Sequence, residues 1–179
     1  MTKKIETMPV LSDDDKRAKD YKSLMISLHQ DLEIFKKYYN SPYLNEGDKK
    51  YAFWEAMALK NKSVVFFILE KEEPQSFLTN EYGSMSKMLH RVHSVHETVQ
   101  EVLLKFYPSL PKKEQSSVLH ACVTERQWDL LENLLEMVDT ENILKFTDNN
   151  DYFSASNPEL FQKTVLKAEL SLQTNLAHS

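Results

Sequence analysis

Three histidines stand at three-residue steps: His90, His93 and His96. Imidazole nitrogens are good zinc and copper ligands, so this spacing is the chain's nearest approach to a metal site. On one continuous helix, however, His90 and His96 would diverge by about 120° around the axis. His120 and Cys122 set a base beside a nucleophile, but residues two apart on a helix point to different faces. Cys122 is the only cysteine, which excludes an internal disulfide and a cysteine-built zinc site. No GxGxxG, P-loop, GxSxG, HExxH or EF-hand pattern occurs. The lysine pairs Lys36-Lys37, Lys49-Lys50 and Lys112-Lys113 are scattered and read as solvated faces, not a nucleic-acid stripe. These residues predict no enzyme, no cofactor and no bound metal. Two rival readings stay in view: a metal-binding helical domain using the three histidines, and an enzyme whose site is built from unremarkable polar residues.

The composition bounds the elements that hold these residues. The chain has 179 residues, 41% of them hydrophobic and 27% charged, the balance of a folded domain. Its two glycines, Gly47 and Gly83, favour helices over a sheet of tight turns. With 22 basic and 27 acidic residues the net charge is −5, which argues against nucleic acid or an anionic membrane as main partner. The longest apolar run, Val64 to Leu69, is far short of the roughly 20 residues of a membrane span. The N-terminal MTKKIETMPVLSDDDK has no apolar core of a signal peptide. The expected compartment is a cytosol, with secretion by a system that reads other signals left open.

Ser12 followed by Asp15 is a helix-start signal of the capping-box type. Tyr21, Leu24, Met25, Leu28, Leu32 and Phe35 recur at helical steps, predicting one long amphipathic helix over about 13–39. Asn40 to Gly47 then reads as a loop. Shorter helices are expected at about 49–60, 62–72, 85–94, 97–107, 114–125 and 127–138. Thr147 to Asp151 reads as a polar loop, and a last helix runs from Pro158 to near Leu172.

An internal repeat organises these helices. Aligned without a gap, residues 51–70 and 117–136 match Trp54 with His120, Ala56 with Cys122, Val64-Val65 with Leu130-Leu131 and Ile68-Leu69-Glu70 with Leu134-Leu135-Glu136. Residues 87–106 fit after a one-residue shift, with Leu89-His90 opposite Leu119-His120. The anchors Trp54, His90 and His120 are 36 and 30 residues apart, a mean of 33. This period, two short helices per unit and a Leu-His start resemble the ankyrin repeat. Asn80 to Gly83 is similar to that family's hairpin entry. The family's Thr-Pro before Leu-His is absent, and its inter-helix glycine is replaced by Lys60 and Arg126.

The resemblance implies an all-α, ankyrin-like helical-repeat solenoid with a long N-terminal capping helix. Residues 1–11 would be a flexible N-terminus and 12–172 a single domain. Within it, 12–47 form the cap, about 48–138 the repeats and 139–172 a degenerate repeat or C-terminal cap, followed by a tail at 173–179. In that register His90 takes the Leu-His position, His96 falls near the break between helices, and Cys122 takes a small buried position. Ankyrin-like stacks bind proteins through hairpin tips and the exposed inner-helix face. By position these are Glu55, Ala58 and Leu59, then Arg91 and Ser94, then Thr124, Glu125 and Arg126. Trp128 opens an outer helix and fits core and interface equally; Trp54 fits the core. Tyr38, Tyr39, Pro42 and Tyr43 read as cap packing, or alternatively as a docking patch. The resemblance in style is to small effectors of intracellular bacteria and viral mimics of host ankyrin proteins. The implied function is a non-enzymatic adaptor or inhibitor, a monomer when unbound, that occupies the surface of another protein.

Overall fold

Ser12 opens the first helix as its sequence predicts. Its hydroxyl accepts the Asp15 amide at 3.1 Å, and the Asp15 carboxylate accepts the Ser12 amide at 3.2 Å. Such reciprocal bonds satisfy amides that no helical carbonyl reaches. The computed structural model describes residues 11–91, 97–148 and 150–177. Among them are twelve α-helices, one short hairpin and one 3-10 turn. They cluster into two compact units, Met1–Lys71 and Glu72–Ser179. No helix among the described residues is long and apolar enough to cross a membrane.

The first unit holds α1 (Asp13–Ser27), α2 (Leu32–Tyr39), α3 (Glu46–Ala58) and α4 (Lys62–Lys71). The expected single helix over 13–39, the long capping helix, is two helices. Asp31 is the cause: its carboxylate accepts the Glu33 amide at 2.7 Å and starts a new helix. His29 and Gln30 close the old one with tight bonds to the Ile26 and Ser27 carbonyls. The apolar spacing runs unbroken from Leu28 to Leu32, so periodicity alone hides the break. The outcome is a helix pair that packs on the next pair, α1 against α3 and α2 against α4.

A second capping box begins α3. The Asn45 side chain accepts the Asp48 amide at 2.8 Å, and the Asp48 carboxylate accepts the Asn45 amide at 3.0 Å. The same carboxylate takes two bonds from Arg17 on α1, from Nε and Nη2, each 2.8 Å. A planar guanidinium matches a carboxylate in this two-point way. Asp48 thus starts one helix and clamps it to another.

The second unit holds α5 (Pro74–Leu78) and the paired two-residue strands β1 (Thr79–Asn80) and β2 (Gly83–Ser84). Next come α6 (Met85–Arg91), α7 (Glu97–Phe106), a 3-10 turn (Tyr107–Ser109), α8 (Lys112–Thr124) and α9 (Trp128–Leu135). Last are α10 (Thr140–Asp148), α11 (Asp151–Ser156) and α12 (Pro158–Ala177). Here too helices stack pair on pair, α6 against α8 and α7 against α9.

Two departures from expectation lie near the C-terminus. The region expected as a polar loop at Thr147–Asp151 contains the end of α10 and the start of α11. Asp139 accepts the Asn142 amide at 2.9 Å and starts α10; Asn150 accepts the Phe153 amide at 3.0 Å and starts α11. The final helix runs five residues past Leu172, because no glycine or proline interrupts it before Ala177.

The α3–α4 and α8–α9 pairs have corresponding bounds, with α3 and α8 each 13 residues long and offset by 66 positions, twice 33. Ala52, Ala56, Val64, Val65, Ile68 and Leu69 are buried, and so are their counterparts Val118, Cys122, Leu130, Leu131, Leu134 and Leu135. Between the helices the backbone turns left-handed at Lys60 (φ 59°) and Arg126 (φ 56°). The same two bonds close each reversal. Asn61 and Gln127 donate to the carbonyls of Ala56 and Cys122 (2.9 and 2.8 Å), and Lys60 and Arg126 donate to those of Met57 and Val123 (3.1 Å each).

Asp48→Asn should cost about 1.5–3 kcal/mol at neutral pH, the range for a hydrogen bond to a charged group. Arg17 and the Asn45 amide hold the folded carboxyl below its usual 3.8, against desolvation. The stabilisation is therefore present above the unfolded value and lost as pH falls through the folded one. Urea denaturation should show the gap between wild type and variant closing as pH drops below 3.8. A gap unchanged at low pH would mean the carboxylate charge is not its source.

Candidate functional site

Cys122 lies in α8 with no exposed surface. Burial pushes its thiol up to about 12, so the nucleophilic thiolate is suppressed. The His120 Nδ1 is 2.8 Å from the Ser116 carbonyl, and the ring stands edge-on to Phe146 at 5.2 Å. His90 gives its Nδ1 proton to the Glu125 carboxylate at 2.9 Å. His93 and His96 lie outside the described residues. Among the described residues no group of three His, Cys, Asp or Glu is placed to hold a metal ion.

The positions expected to bind a partner divide between the units. In the first, Ala58 and Leu59 are exposed at the reversal after α3, and Leu59 leaves 43% of its surface in solvent. Glu55 is half-buried and faces the Tyr51 phenol, raising its pKa. In the second, the reversal after α8 is tied into its own unit. The Thr124 hydroxyl donates to the His120 carbonyl at 3.0 Å, and Glu125 holds His90. Arg126 joins Ser156 in lowering the Tyr152 pKa, Ser156 having the larger effect. The half-buried Trp128 ring stacks on Phe153, with centres 6.0 Å apart and planes 15° apart. Ser94 and the Arg91 side chain lie outside the described residues.

Trp128 belongs to a row of rings that sequence reading missed. Phe153 also meets Phe146 at 5.8 Å and Phe161 at 5.3 Å. The signal was present: Phe146, Phe153 and Phe161 recur at about two helical turns, but across helix boundaries that periodicity did not reveal. Trp54 is buried, as its register implies. Tyr39 is fully buried against Phe35 and Phe67, whereas Tyr43 is exposed with the Lys16 ammonium 5.0 Å from its ring centre.

Among the grooves of the second unit, two lie between its helices. One, of about 430 Å³, runs between α8 and α10 and is lined by Tyr107, Gln115, His120 and Phe146. The Gln115 amide is committed to the carbonyls of Tyr107, Pro108 and Leu110. The other, of about 170 Å³, lies among α9, α10 and α12, with Leu135, Ile143, Leu160 and Ala168 in its lining. The ion pairs Lys163–Glu132 and Lys167–Glu136 join α12 to α9 and its C-terminal cap beside it. Ser116 lines the first groove together with His120, whose Nδ1 is 2.8 Å from the Ser116 carbonyl.

Comparison of the chain with protein-family models, curated proteins and solved structures gives no match.

Native Cys122 should resist a thiol reagent such as dithionitrobenzoate at mildly alkaline pH and react stoichiometrically in denaturant. Rapid labelling of the folded protein would contradict its burial and reopen a nucleophilic role.

Proposed function

We propose that the chain is a non-enzymatic protein-binding module of ankyrin-like helix pairs, acting as an adaptor or inhibitor by occupying a partner's surface. The observation that carries this reading is the recurrence of one helix–reversal–helix geometry at Lys60 and Arg126, with equal spacing, matched burial and the same closing bonds. Pairs of this kind cannot bury their apolar faces alone, so within each unit they pack on a neighbouring pair and leave loop tips in solvent. Such tips accept sequence change without loss of the core.

In this reading Cys122, His90 and His120 are structural residues. The thiol is buried and protonated, and His90 and His120 bond to protein groups. The first unit's tip is the favoured contact surface. Leu59 and Lys60 are exposed there, whereas Glu125 and Trp128 have internal partners.

Affinity capture from candidate host lysate and from the source organism's own lysate, read by mass spectrometry, tests this proposal. A Leu59→Asp/Lys60→Glu variant, confirmed folded by circular dichroism, serves as comparison. One dominant protein should be captured by the wild type and lost, by roughly tenfold or more, from the variant. Equal capture by both would remove the tip from the interface. Capture of nothing by either would count against the binding role.

A further inference from the structure

The groove between α8 and α10 has the buried side chains of Leu119, Phe146 and Tyr107 in its lining. Its volume of about 430 Å³ falls within the roughly 300–1,000 Å³ of small-molecule sites. Three of its neutral donors are already occupied. The Gln115 side-chain nitrogen donates to three carbonyls, and the Tyr107 hydroxyl donates to the Gln115 carbonyl at 3.3 Å. The Asn142 side-chain nitrogen donates to Asp139 at 2.7 Å. Two acceptors are open. The Ser116 carbonyl can only accept, so the His120 Nδ1, 2.8 Å from it, carries the ring's hydrogen. In the neutral ring Nε2 is then an acceptor, and it has no hydrogen-bond partner among the described residues. Asn142, with its nitrogen on Asp139, keeps Oδ1 as the second.

Charge narrows the ligand further. Among the described residues the lining holds Lys112 and Lys145 and no carboxylate. Lys145 is paired with Glu141 at 2.6 Å. Asp139 lies within electrostatic reach of Lys112, its carboxyl held low by Asn142 first and by Lys112 after it. Both ammonium groups are thus compensated from outside the lining. An anion would have to displace these carboxylates, and the unit's 9 basic and 16 acidic residues oppose it. A cation would meet two lysines, and a metal ion would find one imidazole nitrogen and no acidic ligand. A neutral molecule with an apolar body and a hydrogen-bond donor meets neither obstacle. A flat ring suits the walls: His120 and Phe146 stand with centres 5.2 Å apart and planes at 89°. A third ring can pack by its face on one and by its edge on the other, the two arrangements that aromatic rings favour.

We infer that the α8–α10 groove binds a small neutral aromatic molecule bearing an N–H or O–H donor, with its ring against Leu119 and Phe146 and its donor on His120 Nε2. One imidazole nitrogen fixes the side chain to its own helix, and the other reads the ligand. The volume is that of a whole ligand rather than of one anchoring side chain. This site goes beyond protein binding at the loop tips and stands whether or not a partner protein occupies them.

Indole is the probe, titrated into isotope-labelled full-length protein and followed by amide NMR spectra. N-methylindole, whose donor is blocked, indoleacetate, which is anionic, and a blocked glycine-tryptophan-glycine peptide serve as comparisons. Indole should shift the amides of Ser116, His120 and Phe146 saturably and should bind more tightly than indoleacetate. The affinity ratio of indole to N-methylindole should fall roughly two- to tenfold in His120→Phe, the worth of one net hydrogen bond. Ser116→Trp should abolish the saturable shifts by filling the groove. Ser116 and His120 are both exposed, so neither substitution touches the core, and circular dichroism checks that each variant is folded. No saturable shift at these amides, an unchanged ratio in His120→Phe, undiminished indole binding in Ser116→Trp, or tighter binding of indoleacetate would overturn the inference. Tighter binding of the peptide than of indole would overturn it too, by making the occupant a protein side chain.

Discussion

A left-handed residue at the end of a helix is the constraint on which each recurring helix pair depends. Lys60 and Arg126 each reverse the chain within a single residue, so that the next helix can fold back along the one before it. A side chain in this conformation costs on the order of 1–2 kcal/mol where glycine would cost almost nothing. Two backbone bonds close each reversal and satisfy carbonyls that the helix leaves open. The return is burial: Val64, Val65, Ile68 and Leu69 in one pair, and Leu130, Leu131, Leu134 and Leu135 in the other, reach the core only because the second helix doubles back. Each side chain of this size gains about 1.5–3 kcal/mol on burial, which outweighs the strain several times over.

The likeness of the two helix pairs was legible because it is written in apolar residues. Matching Ala56 with Cys122 and Ile68-Leu69 with Leu134-Leu135 anticipates which positions are buried, since core packing fixes size and polarity at fixed steps. The same reasoning failed where helix ends are decided by single polar side chains. Asp31, Asp139 and Asn150 each accept an amide and start a helix, and nothing in apolar spacing marks them. Reading Asp31 as a cap would have divided the first helix correctly.

The candidate surface was less legible than the core. The tip residues were placed by register, and register does not reveal that Glu125 holds His90 or that Trp128 lies on Phe153. These are partners 35 and 25 residues away, fixed by how helices stack rather than by local pattern. Functional surfaces of stacked helix pairs are assembled from one or two residues per helix, so a linear scan for motifs passes over them.

The most direct test of the shared reversal is backbone NMR at Lys60 and Arg126, with hydrogen exchange at the following amides, Asn61 and Gln127. Scalar couplings and intraresidue contacts report the sign of φ, and exchange reports the closing bonds. Positive φ at both residues, with both amides slowed relative to exposed loop amides, is the expected result. Negative φ at either residue, together with fast exchange of the amide after it, would contradict the common geometry and leave two helix pairs alike only in their apolar spacing.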